Sequence, residues 1–204
     1  PIQLINLKSK QFTHTKKSIM LHHNPELIIK ETKILVETDK RSDIRLNANG
    51  GNSILIICEP IQELDFIEAI KTHFNDDMYK IIDLNDLLIR FIEVNKETLK
   101  ETFQLLKGSI NQIFKAPAEE IGPDLFSLIM ESIDNSFKEK KIPVLIHSGA
   151  IYGSGIDNIH IMENEVVMNS SIPLVVLYPA TKEGDRLLFL SKRPSSKYRC
   201  MIIN

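Results

Sequence analysis

Ser53-Ile54-Leu55-Ile56-Ile57-Cys58-Glu59-Pro60 is the stretch that decides the fold. Six uncharged, largely β-branched residues form an apolar run of strand length, the mark of a strand buried on both faces of a parallel sheet. Pro60 ends it and predicts a helix whose apolar stripe is Ile61, Leu64, Ile67, Ile70 and Phe74. Upstream, Asn49-Gly50-Gly51-Asn52 is a turn signal, preceded by a polar stretch from residue 39. Earlier still, Asn24-Pro25-Glu26 has the cap, the proline and the first-turn acid of a helix start. A helix from there to about Thr38 would align Leu27, Ile34 and Thr38, or Ile28, Glu31 and Leu35, although Thr32–Glu37 reads equally as a strand.

Downstream the rhythm alternates. Tyr79-Lys80-Ile81-Ile82 reads as a second strand, and Asp83 as the cap of a helix burying Leu87, Leu88, Phe91 and Ile92. Leu99, Phe103, Leu106, Ile110 and Ile113 step at helical spacing until Pro117, and Phe126, Ile129 (or Met130), Ile133 and Phe137 mark another helix. Pro143-Val144-Leu145-Ile146-His147 is the third strand, and Ser148–Gly155 a glycine-containing loop. Asp157 is placed to cap a helix to about Met168, with Ile159, Met162 and Val166 inward. Pro173–Pro179 is the fourth strand, and Leu187–Leu190 and Tyr198–Ile203 close the chain as a hairpin or as two edge strands. Strands separated by helices predict an α/β fold: a mostly parallel sheet with helices on both faces. At 204 residues this is one domain, a peripheral segment 1–50 on a core of 51–204.

Composition excludes several classes. Hydrophobic residues make up 43% and charged residues 25%, ordinary globular usage rather than disorder. No apolar run approaches the roughly 18 residues of a membrane span, and the first residues lack a signal peptide's apolar region. A cytoplasmic protein with no membrane association is expected. Cys58 and Cys200 are too few for a disulfide framework, and buried free thiols are expected. All 27 acids lie between two basic ends, one with Lys8, Lys10, Lys16 and Lys17, the other with Lys192, Arg193, Lys197 and Arg199. The second group is a candidate basic patch for nucleic acid or an acidic partner.

A buried first strand invites comparison with a P-loop NTPase, whose phosphate loop needs glycines and Gly-Lys-Ser/Thr directly after that strand. Cys58-Glu59-Pro60-Ile61-Gln62-Glu63 supplies neither glycine nor lysine. The third strand ends at His147 rather than at an acid pair for magnesium. A working ATPase or GTPase is excluded on these grounds; a degenerate P-loop NTPase-like core without its phosphate loop is compatible. The segment His147-Ser148-Gly149-Ala150-Ile151-Tyr152-Gly153-Ser154-Gly155 lies at the carboxyl end of a strand, where open α/β sheets place ligands. It is the candidate ligand or interaction loop, although glycines also serve a tight strand-to-helix connection. No catalytic group, cofactor or metal site is expected. His147 and Ser148 are neighbours whose side chains diverge, and Asp157 with His160 lacks a third metal ligand.

In the final third, an apolar strand precedes Gly149-Ala150-Ile151-Tyr152-Gly153, and Pro173-Leu174-Val175-Val176-Leu177-Tyr178-Pro179-Ala180 follows about twenty residues on. Arg186-Leu187-Leu188 and Lys197-Tyr198-Arg199 close the pattern, and Tyr79–Asp86 supplies an upstream counterpart. This arrangement resembles the BrxB family of bacterial BREX phage-exclusion systems over residues 50–204. Ala180 departs from the glycine usual there, and the first fifty residues lie outside the likeness. The resemblance implies an antiviral setting beside a large ATPase, a PglZ-type protein and a methyltransferase, and brings no catalytic residue.

The leading expectation is therefore a non-enzymatic defence subunit that acts by protein–protein interaction with other BREX components, a PglZ-type protein among them. The alternatives are a nucleic-acid-binding module using the basic ends, and a small anion or nucleotide binder centred on His147, Ser148, Gly149, Tyr152, Gly153, Gly155 and Tyr178.

Overall fold

The computed structural model describes residues 24–38, 41–105, 111–116, 124–184, 186–195 and 198–204. Helix α1 (Pro25–Glu37) opens with the Asn24 side chain accepting the Glu26 N–H at 3.0 Å. Thr32–Glu37 is thus helical, and its buried face is Ile28, Ile29, Thr32 and Val36, with Leu27 and Ile34 outside. The polar stretch after it holds a short helix, α2 (Arg41–Asn47), anchored by the fully buried Ile44.

Strand β1 (Ser53–Cys58) is buried at every position. Pro60–Gln62 makes a single tight turn into α3 (Glu63–His73), whose buried face is Phe66, Ile67, Ala69 and Ile70. Ile61 in the turn and Leu64 in the first turn of α3 are 88% and 69% exposed, so the buried face begins only at Phe66. Strand β2 (Tyr79–Asp83) leads into α4 (Leu84–Val94), where Asp83 Oδ1 accepts the Asn85 N–H at 2.9 Å. Leu84, Leu87 and Phe91 are buried, whereas Ile92 faces out. Helices α5 (Lys96–Leu105), α6 (Asn111–Phe114) and α7 (Leu125–Lys138) follow; Leu106, Ile110 and Pro117 lie outside the described residues.

After β3 (Ile142–Ile146) and a tight turn at Ser148–Ile151 come two short helices in place of the one expected. These are α8 (Asn158–Met162) and α9 (Glu165–Met168). Asn164 divides them, its side chain accepting the Val166 N–H as a second cap. Ile161, Met162 and Val167 point inward, and Ile159 and Val166 do not. Strand β4 runs well beyond the expected end, over Leu174–Glu183. Strand β5 (Arg186–Phe189) folds back on it antiparallel, and β6 (Arg193–Pro194) pairs with β5. Strand β7 (Met201–Ile203) joins the opposite side of β1 in parallel.

The strand order is β2-β3-β4-β1-β7, parallel throughout, with β5 and β6 as an antiparallel extension of β4. The sheet divides the core by side-chain alternation. Ile54, Ile56, Val144, Ile146, Val175 and Leu177 face α1, α2 and α3. Leu55, Ile57, Leu145, Val176 and Tyr178 face α4, α7, α8 and α9. Asn52 ties the sheet's amino edge, its side-chain N–H group lying 3.0, 2.9 and 2.8 Å from the carbonyls of Val167, Ser170 and Ile172. No helix among the described residues is long and apolar enough to cross a membrane.

Candidate functional site

Open α/β sheets bind ligands at the carboxyl ends of their strands, where successive crossovers part to opposite faces. Here those ends are Cys58 on β1, Asp83 on β2, Ile146 on β3 and Pro179 on β4. The β1-to-α3 connection carries Glu59 and Glu63 where phosphate-binding amides would be needed. One Glu63 carboxylate oxygen is buried without a hydrogen-bond partner. Burial holds the Glu63 pKa above the ordinary carboxylate range; His147 opposes that rise and Asp83 adds to it.

His147 occupies a left-handed conformation with φ of 54°. Its Nδ1 lies 2.8 Å from Asp83 Oδ1, the same oxygen that caps α4. The pair fixes the ring at the β2–β3 edge, away from the hydroxyl of Ser148. Ser148 is fully buried and donates to the Leu177 carbonyl at 2.8 Å, so the adjacent His and Ser share no chemistry. Cys58 is buried among the α1 and α3 contacts, and burial together with Glu63 pushes its thiol pKa up. Cys200 is likewise buried, pushed up to about 12. Neither thiol carries the thiolate that nucleophilic chemistry requires.

The three loop glycines answer to backbone geometry. A Cβ on Gly149 would stand 3.3 Å from the Leu190 side chain, which reaches over from the β5–β6 turn. Gly153 and Gly155 have φ of 84° and 81°, a region that costs other residues about 1–2 kcal/mol. The β5–β6 turn thus packs against the loop at Gly149.

Several of the residues singled out in the sequence do converge, one strand further on. Tyr178 from β4 stacks on Phe189 from β5 at 4.7 Å between ring centroids and meets Tyr198 edge-on at 5.8 Å. Tyr152, half exposed, leans on Phe189 at 6.3 Å. The Tyr178 hydroxyl bonds Ser195 Oγ at 2.7 Å and the Tyr198 hydroxyl at 2.9 Å. Burial raises the pKa of both phenols, so the network is neutral. Arg193 grips the Asp157 carboxylate with two bonds of 2.7 and 3.0 Å, tying β6 to the start of α8. The space these groups enclose is about 20 Å³, room for a water molecule and not for a nucleotide. Sequence reasoning missed Phe189 and Ser195 as members because they are brought in by strand pairing beyond β4, and Asp157 because it enters through its ion pair with Arg193.

Two members of the basic patch are ion-paired. Arg193 is held by Asp157 and Arg199 by Glu163 at 3.3 Å, leaving Lys192 exposed. Lys197 and the amino-terminal lysines Lys8, Lys10, Lys16 and Lys17 lie outside the described residues. No group of three or more His, Cys, Asp or Glu side chains among the described residues is placed to hold a metal ion.

No protein-family model matches the chain, and no solved structure matches it. A stretch of 122 residues, 57% of the chain, is 27% identical to the guanine nucleotide exchange factor LTE1 of Kluyveromyces lactis. The chain spans 8% of the length of that curated relative.

Proposed function

We propose that this chain is a non-catalytic docking subunit of a bacterial antiviral system of the BREX type. The observation that supports the reading is the contrast between its two kinds of surface. At the carboxyl edge of the sheet, where a ligand site would lie, the tyrosine cluster encloses about 20 Å³ and the cleft between Cys58, Glu59, Ala180 and Lys182 about 100 Å³, neither of them room for a nucleotide. Meanwhile large apolar side chains stand in solvent on α1, α4, α5 and β7: Ile34 is 56% exposed, Val94 77%, Leu105 83% and Ile202 50%. Apolar side chains that line one groove, as Ile34 and Ile202 do between α1 and β7, suit contact with another protein. The order of the parallel strands, with β4 between β1 and β3, is also one that P-loop NTPases use. It supports the idea of a degenerate relative whose phosphate loop has been replaced by Glu59-Pro60.

The resemblance of the strand–Gly149-Ala150-Ile151-Tyr152-Gly153–helix–strand-Tyr178-Pro179 segment to BrxB supplies the setting, cytoplasmic and beside a PglZ-type protein. Co-expression of the tagged chain with each co-encoded protein provides the test. A stoichiometric complex with one of them is the expected result. A chain that purifies alone from every pairing would end the proposal. A nucleic-acid role finds less support, since two of the four bases in the carboxyl-terminal patch are already ion-paired.

A further inference from the structure

Among the described residues β7 has a strand partner on one side alone, β1, at Ile54–Met201, Leu55–Ile202 and Ile56–Ile203. Its other side turns a row of backbone N–H and C=O groups outward. Alongside that edge runs a groove of about 440 Å³, lined by Glu31, Ile34 and Leu35 of α1 and by Met201, Ile202 and Ile203. Met201 and Ile203 share the α1 face of the sheet with Ile54 and Ile56, and Ile202 projects to the opposite face, half exposed.

An unpaired strand edge is satisfied by one class of occupant, an extended backbone, and the groove sets what its side chains must be. Every second residue of an added strand would fall between α1 and β7, onto Ile34, Leu35, Met201 and Ile203, and would have to be apolar. The rim fixes the charge. The α1 bases are already engaged, Lys30 with Glu26 at 3.6 Å and Lys33 with Glu37 and Asp76 at 3.5 and 2.9 Å. Glu31 is exposed and takes part in none of these pairs.

We infer that the β7 edge and the α1–β7 groove receive an extended segment of a partner protein, alternating in apolar residues and flanked by a basic side chain that meets Glu31. The occupant adds a strand beyond β7, its backbone hydrogen bonds supplying affinity and the groove supplying selection. This inference rests on the docking role proposed above and names the surface that performs it.

The full chain titrated by calorimetry with the acetylated peptide Lys-Val-Thr-Val-Thr-Val-Lys tests it. Binding is expected, and N-methylation of alternate peptide amides should abolish it. Ile34→Lys, at an exposed helical position where the fold is insensitive, should weaken binding by about tenfold or more, a loss of about 1.4 kcal/mol. Glu31→Lys should do the same and regain affinity for the peptide flanked by Glu. Equal binding of the N-methylated peptide, absence of binding, or indifference to both variants would overturn the proposal. So would concentration-dependent dimerisation that Ile34→Lys abolishes and the peptide fails to displace, since a second copy would then be the occupant. A co-encoded partner captured equally by wild type and Ile34→Lys would leave the docking role standing and remove this surface from it.

Discussion

His160 shows how one side chain reports on its surroundings. Its Nδ1 accepts the backbone N–H of Asp157 at 3.1 Å, a bond available to the neutral ring. Burial, with Lys115 and Arg193 adding to it and Asp157 opposing, lowers its pKa below the ordinary 6.5. The unfolded chain therefore binds the proton at higher pH than the folded one, and stability must fall as pH drops through 6.5 toward the folded value. Urea melts of wild type and His160→Gln between pH 7.5 and 5 should differ in slope, the variant losing less stability on acidification. Equal slopes would mean that the ring is no part of the acid response. Gly51 makes the opposite kind of point, since it acts by having no side chain. A Cβ there would sit 1.7 Å from the Arg199 carbonyl oxygen, so the carboxyl-terminal segment can pass over the start of β1 at no other residue type.

At the scale of elements, the joint between β1 and β4 depends on Asn52. Its amide reaches three carbonyls in the α9–β4 connection, and its own carbonyl accepts the Leu174 N–H at 3.0 Å. Arg45 also reaches Ser170 O at 2.7 Å, so that acceptor keeps a partner if the Asn52 side chain is lost. Val167 O likewise accepts the Ser170 N–H at 3.3 Å, so Ile172 O is the acceptor that leans most on Asn52. Asn52→Ala should lower stability by about 2 kcal/mol, read as a lower urea midpoint at unchanged slope, because three side-chain bonds across this joint are lost together. The tyrosine cluster plays the same part at the other end of β4. Tyr178→Phe removes both hydroxyl bonds while keeping the stacking on Phe189, and about 1–2 kcal/mol of destabilisation is expected in the same measurement.

For the whole molecule, the sheet's position between two core layers sets which parts open first. Strands β1 and β4 are central, paired on both sides and covered on both faces. The β5–β6 extension is paired at an edge and exposes Arg186, Arg193 and Pro194. Native-state hydrogen exchange should show Leu174–Tyr178 amides opening only with global unfolding, and β5–β6 amides several orders of magnitude faster. Comparable protection in both would contradict the layered account. The same geometry seals the sheet centre with its own side chains and leaves at the margins the α1–β7 groove of about 440 Å³ and a cleft of about 370 Å³ beside β2, α4 and α7.

The parallel α/β architecture was legible in the residues themselves. Runs such as Ser53–Cys58 and Leu174–Tyr178 carry no polar face, and caps such as Asn24 and Asp83 act within three residues of their own position. Local chemistry of that kind is written in order along the chain. What tertiary structure alone decided depends on pairing across long separations. The α1 face, the break at Asn164, the run of β4 past Pro179 and the parallel docking of β7 on β1 all turn on which surface another element covers. The candidate site divides along the same line. Tyr178 and Tyr152 were singled out from their setting in the chain. The meeting of Tyr178 with Phe189, Ser195 and Tyr198, the neutralisation of Arg193 by Asp157, and the opening beside Ile34 exist because β4 is long enough to turn back on itself while β7 leaves one edge of the sheet uncovered among the described residues.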